Sequence, residues 1–144
     1  MKISDIVQKK GRTVHTVTPG STVTDVVDRL AETGIGALLV VDPTGAIRGI
    51  VSERDIVRKL GRYGATALRM ETAAVMTRHV ETCTPDETVA SAMARMTAGR
   101  YRHLPVLEGH DLVGIVSIGD LVGNRVREME LETGVLRDLV IAGR

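Results

Sequence analysis

Two tetrapeptides carry the chemistry available to this sequence: Ser52-Glu53-Arg54-Asp55 and Ser117-Ile118-Gly119-Asp120. Each follows a Gly-Ile-Val tripeptide and opens a predicted helix. A carboxylate accepts two hydrogen bonds at once, so one aspartate suits the vicinal hydroxyls of a ribose. The exposed amides and positive dipole end of a helix start favour an anion such as a phosphate. Glycine just before the motif lets a backbone come close where a side chain would block it. The same spacing is also that of a capping box, in which the serine caps an amide and the acid reaches back. Spacing alone leaves both readings open.

The elements that position these motifs are duplicated. Thr16-Val17-Thr18-Pro19 recurs as Thr82-Cys83-Thr84-Pro85, and Gly49 to Asp55 recurs as Gly114 to Asp120. A repeat of this kind decides the fold before any single residue does. After each Thr-x-Thr-Pro comes an amphipathic stripe: Val23, Val26, Val27, Leu30 and Ala31, then Val89, Ala92, Met93 and Met96. That is the spacing of a helix with one buried face. Short apolar runs follow in pairs, 37–41 with 47–51 and 104–107 with 112–116. They flank Asp42-Pro43-Thr44-Gly45 and Glu108-Gly109-His110, the chemistry of hairpin turns. A second helix begins at Ser52 or Ser117. The predicted class is α/β (α+β): two tandem helix–strand–strand–helix units, each with an extended N-terminal strand. The expected boundaries are 6–61 and 75–126, with a connector at 62–74 and a helical tail at 127–144.

Val122, Val126, Met129, Thr133, Leu136 and Val140 in that tail are spaced 4-3-4-3-4, a heptad seam among alternating charges. Packing of this helix on its own unit is the alternative. Gly123 and Gly134 each cost a helix up to about 1 kcal/mol, and a break near Thr133-Gly134 is one outcome.

Composition removes several function classes. The chain has 144 residues, enough to build a core without disulfide or metal staples. Nineteen Lys+Arg against 18 Asp+Glu leave a net charge of +1, with no sequence-wide pull toward nucleic acid or an anionic membrane. Two Tyr, no Phe and no Trp cannot build a base-stacking platform. The single cysteine, Cys83, excludes an internal disulfide and fits a reducing compartment. Met1 to Asp5 reads as a polar segment rather than a signal peptide, and no apolar run has the length of a membrane span. A cytoplasmic protein is expected.

The tandem of Thr-x-Thr-Pro, helix, hairpin, Gly-Ile-Val-Ser-x-x-Asp and helix resembles a pair of CBS domains, the arrangement called a Bateman module. The likeness covers roughly residues 6–126. It implies two units packed with pseudo-twofold symmetry, plus the C-terminal helix, in a free-standing regulatory pair. It also implies an adenosyl ligand (AMP, ADP, ATP, NAD or S-adenosylmethionine) held in the cleft between the units. By this resemblance Asp55 and Asp120 hold ribose hydroxyls, with Ser52 and Ser117 near the phosphate or ribose. Arg102 and His103, in the segment Arg100-Tyr101-Arg102-His103, serve the Asp120 site. Their alternative is a solvated basic strand edge. Gly36 and Ala37 leave space at the matching place in the first unit, which draws its cation from Arg54, Arg78 or His79. The segments Arg12–His15, with Thr13, and Thr77–Val80 supply backbone contacts to adenine.

The remaining candidates carry little. His15, His79, His103 and His110 show no metal-ligand spacing. Cys83 with His79 is a conceivable nucleophile pair, but Cys83 aligns with Val17 and reads as a small buried apolar residue. Gly34-Ile35-Gly36 does not complete a dinucleotide fingerprint, and no P-loop is present. The sequence reads as a non-enzyme that requires no cofactor, with an effector protein as a further partner. The alternative is a dimerisation scaffold without a ligand. A homodimer is expected either way, its surface drawn from the stripes on Val23/Val26/Leu30 and Val89/Met93/Met96.

Overall fold

Two antiparallel hairpins frame the fold, and each is closed by its turn residues. In the computed structural model, which describes residues 1–142, β2 (Ala37–Val41) pairs with β3 (Ile47–Ser52). β4 (His103–Glu108) pairs with β5 (Asp111–Ser117) in the same register, Ala37 facing Ser52 as His103 faces Ser117. At the first turn the Asp42 carboxylate accepts from the amides of Thr44 at 2.9 Å and Ala46 at 3.1 Å. Gly45 and Gly109 supply the positive φ that these turns need, +87° and +65°.

The chain divides into two units, Thr13–Glu81 and Met1–Arg12 with Thr82–Arg144. In the first, β1 (Thr16–Val17) runs parallel to β2, giving the order β1-β2-β3. Its helices are α2 (Val23–Thr33) and α3 (Glu53–Tyr63), followed by a 3₁₀ segment Gly64–Arg69 and the single turn α4 (Thr72–Val75). In the second, α1 (Ile3–Lys10) joins α5 (Val89–Gly99), the β4-β5 hairpin and α6 (Ile118–Ala142). The counterpart of β1 there shrinks to one bridge, Cys83 with Val106.

The sequence reading took residues 1–5 as a polar start and did not expect α1. Ile3, Ile6 and Val7 follow helical spacing and are buried, while Ser4, Asp5, Gln8 and Lys9 dilute the pattern. α1 and α4 play matched parts. The Ile3 amide donates to the Glu87 carbonyl and the Val89 amide to that of Met1, while Thr72 and Val23 bond in the same sense to Ser21 and Met70. The segment expected as a plain connector thus contains a docked turn, and residues 6–12 fold with the second repeat.

Each unit has its own aliphatic core. Val17, Val23, Val26, Leu30, Leu38, Val40, Val51, Ile56 and Val75 form one. The other is built from α1, α5, the β4-β5 hairpin and Leu121, with Leu104 and Met96 at its centre. Burying one such side chain contributes about 1.5–3 kcal/mol. The stripes expected to leave an apolar surface do not. Val23, Val26 and Leu30 are buried, as are Val89 and Met96, and Met93 is half-buried against its core. The docked turns α4 and α1 cover what the sheet alone leaves open. Exposed apolar residues lie instead on α3, at Val57 and Leu60, and along α6, which runs unbroken through Thr133-Gly134. Gly143 and Arg144, the end of the expected tail, lie outside the described residues.

Candidate functional site

Ser52 and Ser117 each end a strand and begin a helix. Ser52 is still extended, at φ −114° and ψ 165°, and its hydroxyl accepts from the Asp55 amide. The Glu53 amide donates across to the Gly36 carbonyl at 3.0 Å, and Ile118 does the same to Arg102 at 2.8 Å. The strand preceding each hairpin turn therefore ties down the helix start. Gly36 and Ala37 come to lie beside Glu53 and Ser52, and Arg102 and His103 beside Ile118 and Ser117.

Both capping boxes are complete. Asp55 Oδ2 accepts from the Ser52 amide at 2.9 Å, and Asp120 Oδ2 from the Ser117 amide at 2.8 Å. In return the Asp120 amide donates to the Ser117 hydroxyl at 3.1 Å. A carboxylate has about four acceptor positions, so a cap leaves capacity over. Asp55 Oδ1 takes a hydroxyl hydrogen bond from Thr77 at 3.2 Å. Oδ1 of Asp120 accepts no hydrogen bond among the described residues. Cap and ligand readings are thus compatible in one residue.

The partners at the two aspartates differ. Thr77 also exchanges backbone hydrogen bonds with Ile50, at 2.8 and 2.9 Å, and so extends the sheet edge next to Asp55. At the other motif Lys10 takes that place. Its Nζ lies 2.7 Å from Asp120 Oδ2 and 3.0 Å from the Ile115 carbonyl oxygen. Burial opposes ionisation of Asp120, but the hydrogen bonds from Lys10 and Ser117 and the Lys10 charge outweigh it and hold the carboxyl below its usual range. The sequence reading missed Lys10. The run Lys9-Lys10-Gly11-Arg12 was its only signal, and nothing local ties that run to a residue so far along the chain.

Other expected site residues are placed differently. Arg54, Thr13 and Arg102 are exposed, and His103 is half-buried. His79 is exposed and pairs with Glu81 at 2.8 Å. Tyr101 packs against its own core, its ring lying where a Cβ on Gly99 would stand. Cys83 is buried, and burial first, then the nearby Glu87, push its thiol up to about 12. Among the described residues no group of three or more His, Cys, Asp or Glu gathers as for a metal ion, and no helix is long and apolar enough to cross a membrane.

The duplicated cap with its spare carboxylate capacity coincides with a family match: residues 3–62 and 73–127 each match the CBS domain. This chain belongs to the CBS domain family. As a CBS pair it is similar to the mitochondrial CBS domain-containing protein CBSX3 of Arabidopsis thaliana, 35% identical over 98% of this chain and 72% of that protein. It spans only 22% and 21% of two longer Arabidopsis thaliana CBS proteins. Among solved structures, the CBS-domain protein ATU1752 from Agrobacterium tumefaciens superposes with a TM-score of 0.84 at 39% identity, over 86% of this chain and 92% of that one. The CBS domain pair of protein MJ0100, solved with 5′-methylthioadenosine and S-adenosyl-L-methionine, shares the fold at a TM-score of 0.79 and 23% identity, over 89% of this chain and 98% of that one. The CBS pair is a regulatory module.

Proposed function

We propose that this CBS pair is a non-catalytic sensor. It binds an adenine nucleotide of the AMP, ADP, ATP or NAD class at its Ser-x-x-Asp motifs, and passes occupancy to an effector protein as a cytoplasmic homodimer. The observation that carries the reading is the state of the two motif carboxylates. Each stands at a helix start with hydrogen-bonding capacity left after its cap is made, which suits a ribose diol. The amides of the same helix turn favour the phosphate end. Lys10 brings positive charge to Asp120, and Arg102, just before β4, meets the start of the same helix through its carbonyl. Nothing about the buried, high-pKa Cys83 thiol equips it as a nucleophile.

The complete capping boxes favour a second reading, a dimerisation scaffold whose motifs only cap helices. A thermal-shift panel of AMP, ADP, ATP, NAD and S-adenosylmethionine separates the two. Ligand at a hundredfold over its dissociation constant stabilises the folded state by about 2.7 kcal/mol, which raises the melting temperature measurably. Stabilisation by at least one nucleotide supports the sensor. A flat response to the whole panel supports the scaffold.

A further inference from the structure

The last helix divides into an anchored start and an uncovered remainder. Leu121 and Asn124 are buried against the second core. From Arg125 onward no described side chain of α6 is buried. Val126, Met129, Leu136 and Val140 stand in solvent, Met129 at 55% and Leu136 at 63% exposure. A helix of this length with its apolar side uncovered is marginal in water, because helices in proteins draw most of their stability from packing.

Leu131, Val135, Leu139 and Ile141 are exposed on the other sides of the helix, but five of its exposed apolar residues follow one heptad seam. With Val122, Met129 and Leu136 at d positions and Val126, Thr133 and Val140 at a positions, they form the seam of a coiled coil. Gly123 and Gly134 fall at e and b, so neither interrupts the seam. Val126, Met129, Thr133 and Gly134 border a shallow depression with Glu130 on this face.

The flanking charges select the occupant. Arg125 is at g, Glu130 at e and Glu132 at g. If a second copy lies parallel, g of one helix meets e of the next heptad in the other, which sets Arg125 against Glu130 of the second copy. An antiparallel copy covering the same Val122–Val140 span centres on Leu131 and sets Glu130 against Glu130, and Glu132 against Glu132, of the second copy. Over the whole seam only the parallel arrangement places opposite charges together, and twofold symmetry repeats the pair. Within the chain Arg125 meets Glu128 at 3.1 Å, an exposed pair that is cheaply exchanged.

We propose that the Val122–Val140 seam of α6 is covered by the same seam of a second copy of this chain. This rests on the homodimer of the preceding reading and names its surface. Sedimentation velocity over a concentration series of the full chain tests it, with Met129→Glu and Leu136→Glu on the seam and Leu131→Glu at f as control. All three positions are exposed, so the cores are untouched. Expected is a dimer for the native chain and Leu131→Glu, with the dissociation constant raised at least about tenfold in both seam variants, equivalent to about 1.4 kcal/mol. Dimers as tight in the seam variants as in the native chain would overturn the seam while leaving the homodimer standing. A monomeric native chain would overturn the homodimer itself. Arg125→Glu should weaken the dimer, and adding Glu130→Arg should restore it. No restoration would overturn the charge register.

Discussion

Lys10 Nζ sits 2.7 Å from Asp120 Oδ2 and 3.0 Å from the carbonyl oxygen of Ile115, joining the end of α1 to the start of α6. The corresponding position beside Asp55 is occupied by Thr77, which bonds to Asp55 through its hydroxyl and to Ile50 through its backbone. One motif is therefore served by a cation on a flexible stem and the other by a neutral group built into a sheet edge. The two repeats carry the same Ser-x-x-Asp and different electrostatics.

Lys10→Met tests what that cation does. If Lys10 turns to a bound phosphate, the variant should lose about ten- to a hundredfold in AMP affinity at the Asp120 site, the worth of one charge-assisted hydrogen bond, and much less for adenosine. Calorimetric titration with both ligands measures it, and equal losses would assign Lys10 to packing. Unfolding stability should fall by no more than about 1 kcal/mol, because a third of the lysine side chain is exposed and solvent screens the pair.

The lowered pKa of Asp120 makes the pair sensitive to acid. Its contribution to stability is fully present above the unfolded carboxyl value of 3.8 and is lost as pH falls through the lower folded value. The stability difference between the native chain and Asp120→Asn should therefore be largest near neutral pH and shrink as pH falls below 3.8. Urea titrations at several pH values read this directly, and a difference independent of pH would remove the ionic contribution.

Gly49 and Gly114 occupy matching strand positions but should respond in opposite directions to alanine. A Cβ on Gly49 would lie 2.7 Å from the Thr77 carbonyl oxygen and 2.8 Å from Met76 Sδ, whereas one on Gly114 would meet two Val7 methyls at 3.4 Å. Gly49→Ala should destabilise by about 1–3 kcal/mol through overpacking. Gly114→Ala should be neutral or stabilise by up to about 1 kcal/mol, because alanine restricts the unfolded chain. Similar midpoints in chemical denaturation would contradict the contrast.

Cys83 should resist thiol reagents in the folded protein. Its side chain is buried and its thiol is pushed up to about 12, so the reactive thiolate is scarce at pH 8. Labelling at that pH should become fast only after denaturant unfolds the chain, and rapid labelling of the folded protein would contradict the burial.

The hairpins and the helices that follow them were legible because turn residues and periodicity act locally. Asp42 to Gly45 closes its turn through its own side chain, and Ser52 and Ser117 cap their helices at the spacing read from Ser-x-x-Asp. α1 was hidden because three buried residues in a mostly polar stretch make a weak stripe. Lys10 at Asp120 was hidden for a different reason, since a contact over 110 residues leaves no local pattern. Tyr101 was expected among the site residues beside Arg102. Its half-buried ring also packs against the core, where the missing side chain of Gly99 leaves it room, a placement that no local pattern signals. The width of the Val23 and Val89 stripes gave no hint that α4 and α1 would take up their surface.

The most direct test of ligand binding through the motif carboxylates is calorimetric titration of AMP into the native chain and the double variant Asp55→Ala/Asp120→Ala. Circular dichroism alongside must show that both remain folded. Losing one charge-assisted hydrogen bond from a ribose hydroxyl costs about 1.5–3 kcal/mol, so affinity in the double variant should drop at least about tenfold at each occupied site. AMP binding of equal strength in the native chain and the double variant would contradict the ribose role of Asp55 and Asp120.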